Sequence, residues 1–149
     1  MFLSIRLRGL FLITRETDYA IRATLYLAKQ SDLEKSVSTA ELSEEMGIPY
    51  RFLRKIVSKL VASELIVSRR GKGGGLSLAR APQDISLIQI ISAVDPDAVL
   101  LNRCLSDMKQ CDRSLYCGIH TELARMQKQL DAGLASVTLA TMSSHEGSP

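Results

Sequence analysis

The chain is 149 residues long, carries a net charge of +3, has no Trp and only 5% aromatic residues. That length allows one domain with an attached arm, and buries roughly two-thirds of the surface the unfolded chain would expose. The charge is too small to name a partner, and three cysteines are too few and too clustered for a secreted disulfide scaffold. Thiols kept for metal or redox chemistry in a reducing cytoplasm are the expectation.

Residues 1–13 (MFLSIRLRGLFLI) are apolar but interrupted by Arg6 and Arg8. They are too short for the about 20 apolar residues of a membrane span, and no small-residue cleavage site follows. The stretch reads as an N-terminal extension, and no membrane association is expected.

Thr14 is placed to cap a helix over 15–29, with Glu16 and Asp18 in its first turn and Ile21, Leu25 and Ala28 at helical spacing. Gln30–Lys35 reads as a loop. Ser38-Thr39-Ala40-Glu41 has the form of a capping box and opens a short helix to Met46. Gly47 supplies the left-handed turn. Pro49 is expected at the first position of the next helix, which uses Phe52, Leu53, Ile56, Val57 and Leu60 for the core. Two short helices about a glycine turn make a helix-turn-helix. Leu65–Val67 and Leu76–Leu78 read as two strands, joined by a basic, glycine-rich tip over Ser68–Gly75. The fold class is therefore mainly α with a small β wing: a winged helix-turn-helix over 14–80. Ser86 and Gln89 form a second capping box for a connecting helix, Leu87–Val94, within 81–100. Residues 101–119 lack periodicity and hold the cysteines. A long helix returns near His120 and runs to about Ser136, with Leu123, Met126, Gln127, Leu130 and Leu134 on one stripe. Thr138 caps a last turn ending near 142, and 143–149 is expected to be disordered.

Charge distribution points to function. From Arg51 to Arg80 the only acid is Glu64, a pattern suited to a phosphate-binding face. On the second helix, Tyr50, Arg51, Arg54 and Lys55 are left facing outward, where an N-terminal turn meets base edges in the major groove. Lys59 lies further along and suits phosphate. Arg69, Arg70 and Lys72, with Gly73 and Gly74 allowing close approach, suit a DNA backbone or a minor groove. The glycine run lacks the G-x-x-x-x-G-K-[ST] and G-x-G-x-x-G patterns of nucleotide loops. RNA would call for more exposed aromatics than Tyr50. No catalytic constellation stands out, so an enzyme is not expected.

Cys104, Cys111, Cys117 and His120 follow C-x6-C-x5-C-x2-H. This donor set suits an iron–sulfur cluster, in which His or a carboxylate can replace one thiolate. It lacks the tight C-x2-4-C knuckle usual for structural zinc. Zinc on three thiols and an imidazole, and metal-free redox thiols, stay open on spacing alone.

With these residues in view, the chain resembles the Rrf-two family of bacterial transcriptional regulators, of the IscR/NsrR type. The resemblance runs from about Ile13 to Met142. It rests on Ile13–Arg22, Ile48–Ile56, Arg70–Gly75, Leu101–Cys104 and Thr138–Ala140. It implies a homodimer held by the long helix, near-palindromic double-stranded promoter DNA as partner, and a 2Fe–2S or 4Fe–4S cluster on the three cysteines. For the fourth ligand it offers two matches: His120, as in the iron–sulfur-assembly regulator, or Asp18 supplied by the other subunit, as in the nitric-oxide sensor. The first cysteine gap is six residues where those members have five. Arg70 matches the family's minor-groove Arg. Arg54 stands where the assembly regulator has an acid, which implies a different operator sequence. The expected activity is that of a repressor responding to iron–sulfur, redox or nitric oxide status. Cluster binding is expected to fold the 101–119 loop and so set the spacing of the two recognition helices. A cluster-free thiol- or partner-gated regulator of the same fold is the alternative, along with a zinc-bound one.

Overall fold

The structure is a computed structural model that describes residues 13–31, 35–107, 109 and 111–145. The expectations for the extension at 1–12, for the loop at 32–34 and for the tail at 146–149 lie outside the described residues.

Helix α1 spans Arg15–Ser31, two residues further than the sequence periodicity suggests. Thr14 caps it, its hydroxyl accepting from the amide of Thr17 at 3.3 Å. The buried face of α1 is narrow: Ala20, Ala23, Leu27 and Ala28 are almost wholly inaccessible. Small side chains there let neighbouring helices approach closely. The two buried threonines cost nothing in unsatisfied polarity, because Thr17 donates to Thr14 O at 2.8 Å and Thr24 to Ala20 O at 2.9 Å.

Helix α2 is Thr39–Met46 and α3 is Tyr50–Ala62. The Ser38 hydroxyl accepts from the Glu41 amide at 3.1 Å, as a cap should. The Glu41 carboxylate accepts instead from the ammonium of Lys35, also at 3.1 Å. That hydrogen bond, and then the charge behind it, raises the pKa of Lys35. Gly47 turns the chain with φ 60°, and the Ser43 hydroxyl donates to Ile48 O at 2.6 Å to brace the corner. Pro49 is the residue before α3 rather than its first residue; its carbonyl accepts from Phe52 and Leu53.

The wing is an antiparallel pair, β1 Ile66–Arg69 and β2 Gly75–Leu78, with Ile66 opposite Leu78 and Arg69 opposite Gly75. The strands start one residue later and one earlier than the sequence pattern suggests. A bridge from Val37 to Leu76 adds a third short run, with the two residues exchanging backbone bonds of 3.1 and 2.7 Å. Gly75 is needed there, since a Cβ would lie 2.9 Å from Val37 O and its φ is 150°.

Helix α4, Leu87–Val94, begins where predicted, with the Ser86 amide donating to Gln89 Oε1 at 3.0 Å. Among the described residues after it, Arg103–Leu105 and Ser114–Tyr116 form short 3-10 turns. The long helix α5 is Gly118–Ser136, starting two residues before His120. Helix α6 is Leu139–His145, so residues 143–145 are helical rather than disordered. Leu139 is fully buried and its amide donates to Ile85 O, which ties the C-terminal end to the start of α4. One apolar core joins these elements through Leu27, Leu42, Leu53, Ile56, Leu60 and Ile90.

Candidate nucleic-acid interface and cysteine loop

Helix α3 divides its surface as a reading helix must. Leu53, Ile56 and Leu60 are inaccessible and fasten it to the core. Tyr50, Arg51, Arg54 and Lys55 are exposed. At about 100° per residue, Arg51 lies one turn below Arg54 and Lys55, so the three cations share one face.

Two expectations change here. Phe52, which its spacing assigns to the core, is 60% exposed. Leu53 and Ile56 take the buried positions, and Phe52 sits about 100° from Leu53 on the flank beside Lys55. Lys59, expected to be free for phosphate, turns inward. Its ammonium donates to Glu16 Oε1 at 2.6 Å and to Val94 O at 2.7 Å, linking α3 to the start of α1 and the end of α4. Its distance from the helix start brings it level with those partners, which a charge count along the sequence does not reveal.

Arg69, Arg70 and Lys72 are exposed around the wing tip, as expected. The tip is held from behind: the Ser36 hydroxyl lies 3.1 Å from Gly73 O and 3.2 Å from Gly74 O. At Gly74 an added Cβ would come 2.4 Å from Arg69 O, so the hairpin closes only because that position is glycine. Gly73 has φ 81° and open space around it.

The cysteine loop is assembled differently. All three cysteines are free and partly exposed. His120 Nδ1 lies 3.4 Å from Cys104 Sγ, bringing together the first and last residues of the predicted ligand set. Cys111 and Cys117 do not join them: among the described residues no three His, Cys, Asp or Glu side chains converge on one point. Asp18 is engaged elsewhere, its carboxylate held by Arg22 at 3.2 and 3.0 Å. The donor chemistry therefore suits a thiolate-bound iron site, whereas convergence of the four donors requires the loop to rearrange.

Gln127, which the helical period places on an apolar stripe, proves to be the buried anchor of that loop. Its Oε1 accepts from the Leu101 amide at 2.9 Å, and its Nε2 donates to Val99 O at 2.8 Å and Asp131 Oδ1 at 2.7 Å. The available signal is a lone amide amid Leu and Met on one helical face. Met126, on the same stripe, is 49% exposed.

A glycine-cornered helix pair, a paired basic wing and a cation-bearing outer helix face define a winged helix-turn-helix. No helix among the described residues is long and apolar enough to cross a membrane. The family model described as "Iron-dependent Transcriptional regulator" matches residues 13–145, and the chain belongs to that family, Rrf2. It is a transcriptional regulator, and its relatives are named as regulators rather than enzymes. It is 33% identical to the HTH-type transcriptional regulator IscR of Sodalis glossinidius, over 90% of this chain and 79% of that one. It is 27% identical to the HTH-type transcriptional repressor NsrR of Streptomyces coelicolor, over 87% and 86%. Its fold matches that of CymR, the global cysteine regulator of B. subtilis, with a TM-score of 0.69 at 24% identity, covering 91% of this chain and 98% of that one.

Proposed function

We propose that this regulator reads double-stranded promoter DNA as a homodimer, acts as a repressor, and senses iron–sulfur, redox or nitric oxide status through its cysteine loop. The observation that carries the DNA reading is the division of α3. Arg51, Arg54 and Lys55 share its outer face while Leu53, Ile56 and Leu60 hold it rigidly from within. Arginine in the first turn can bond bidentately to guanine, and Tyr50 stands beside it. The wing offers Arg69, Arg70 and Lys72 to phosphates or a minor groove, with Gly73 and Gly74 allowing close approach. Repression is supported by the relative named as a repressor.

The dimer reading draws on exposed apolar side chains in the turn before α5 and in its first turn. Leu115 is 81%, Tyr116 77% and Ile119 72% exposed. A second copy would cover such a face and place two recognition helices about 34 Å apart, or a multiple of it, on one side of the duplex.

Cys104, Cys111 and Cys117 would hold an iron–sulfur cluster, with His120 as fourth ligand. What supports this is the family's iron dependence, relatives named IscR, three free thiols and the contact of His120 with Cys104. Asp18 is the weaker candidate for the fourth position, because Arg22 occupies its carboxylate. When bound, a cluster supplies an iron centre sensitive to oxidation and nitric oxide. The chain's own residues supply the route to DNA. Gln127 fixes the root of the loop, at Val99 and Leu101, to α5. Five residues before Val99, the Val94 carbonyl receives Lys59 of the recognition helix. A loop that changes shape therefore pulls on a segment tied at both ends.

Anaerobic purification with iron, sulfide and zinc analysis, followed by DNA-binding titrations of loaded and stripped protein at fixed salt, tests both parts. Iron with acid-labile sulfide, lost in a His120→Ala variant and retained in Asp18→Ala, is expected, as is a different operator affinity for the two forms. Iron-free protein after reconstitution would overturn the cluster and favour a thiol- or zinc-based sensor. Equal affinity of the two forms would overturn the coupling.

A further inference from the structure

Phe52 stands in the first turn of α3 with 60% of its surface exposed, although Leu53 beside it and Ile56 one turn on are fully buried. It contributes no core packing that its neighbours do not already provide. Its ring is exposed on the cation-bearing side of the helix, flanked by Arg51 and Lys55, where a docking partner would meet all three side chains together. The occupant must be anionic overall and present an apolar spot at the depth of a first-turn side chain. No acid lies anywhere in α3, so an apolar protein ridge would meet an uncompensated rim of cations. Duplex DNA meets both demands: phosphates answer the cations, and the thymine C5-methyl is the apolar feature of the major groove, one that Phe is suited to contact.

We propose that Phe52 is a specificity-determining residue, packing its ring on a thymine C5-methyl in each half-site. This rests on the reading of α3 as the helix that enters the major groove, and it adds an apolar contact to that helix's hydrogen-bonding cations. The expected operator has a thymine next to the base pair read by Arg51 or Arg54 in each half-site.

The probe is a set of duplexes selected by the full chain from a random DNA library, in which each thymine is replaced in turn by deoxyuridine. That exchange removes the methyl and leaves the pairing edge unchanged. At one position in each half-site, uracil is expected to weaken binding by the parent protein about fourfold, the weight of one buried methylene-sized group. Phe52→Ala is expected to bind the thymine and uracil duplexes equally, with the same unfolding midpoint as the parent. Arg51→Ala is expected to keep the uracil penalty while losing affinity overall. If no uracil exchange affects the parent, or if Phe52→Ala keeps the same penalty, the methyl contact is wrong while DNA recognition by α3 stands. A lowered unfolding midpoint for Phe52→Ala would show that the ring packs within the protein, and would also overturn the proposal. Failure of the library to yield any bound duplex would instead overturn the DNA reading beneath it.

Discussion

Between Val37 and Leu65 the chain repeatedly sends a side chain into the core: Val37, Leu42, Ile48, Leu53, Ile56, Leu60 and Leu65 are all inaccessible. Between Leu100 and Met126, no described side chain is buried. The first stretch holds the proposed DNA-reading face, the second the cysteines. Burial fixes the position of Arg51 relative to Arg70 through the rigidity of a packed core. The thiols have no such frame, apart from the Gln127 anchor at one end and the start of α5 at the other. A reading surface gains from a fixed shape, and a loop with the proposed role of gathering donors around a metal would gain from its lack.

The sharpest way to break this contrast is to injure both regions equally. Leu53→Ala or Ile56→Ala removes a fully buried side chain and should lower stability by about 2–5 kcal/mol in urea unfolding of metal-free protein. Replacing Cys104, Cys111 and Cys117 together by Ser touches only partly exposed side chains. It should change the same quantity by about 0.5 kcal/mol or less. A triple variant as unstable as Leu53→Ala would mean that the loop is packed as firmly as the reading domain. A smaller effect belongs to the wing. Gly74→Ala places a methyl where Arg69 O now stands, so the hairpin must open. The local strain should be about 1–3 kcal/mol. Operator affinity should fall well beyond what the change in unfolding midpoint explains, because Arg70 and Lys72 move with the tip.

The same contrast governs what can be read from the sequence. Elements set by local chemistry are legible: the Ser38 cap, the Gly47 corner, the glycine-tipped hairpin and the Gln89 box each depend on residues close together in the chain. The exposed cationic face of α3 is legible wherever charge and helix period agree, as at Arg51, Arg54 and Lys55. Phe52 is misplaced by its spacing because period alone puts a residue near the core without saying whether Leu53 and Ile56 leave room. Lys59 is misplaced because its partners, Glu16 and Val94, are far away in sequence and meet it only after folding. The cysteine spacing points to a ligand set. It does not supply the loop's path, because no periodic apolar pattern connects those thiols to the core.

The smallest effect is the most discriminating test of the reading face itself. Lys55 and Lys59 are one turn apart on α3, carry the same charge and would count alike in any tally of basic residues. Lys55 is exposed, whereas Lys59 is committed to Glu16 and Val94. If Lys55 neutralises a phosphate, Lys55→Gln should reduce the slope of log affinity against log salt by about 1 per subunit, with stability unchanged. Lys59→Gln should leave that slope as it is. It should lower stability by about 1 kcal/mol or less, since the Glu16 pair is 42% exposed on each side and screened by solvent. A reduced slope in Lys59→Gln would mean that the ammonium leaves Glu16 for a phosphate when DNA arrives. The bond from α3 to the end of α4 would then break on binding, and the proposed coupling of the cysteine loop to the recognition helix could not run through Lys59.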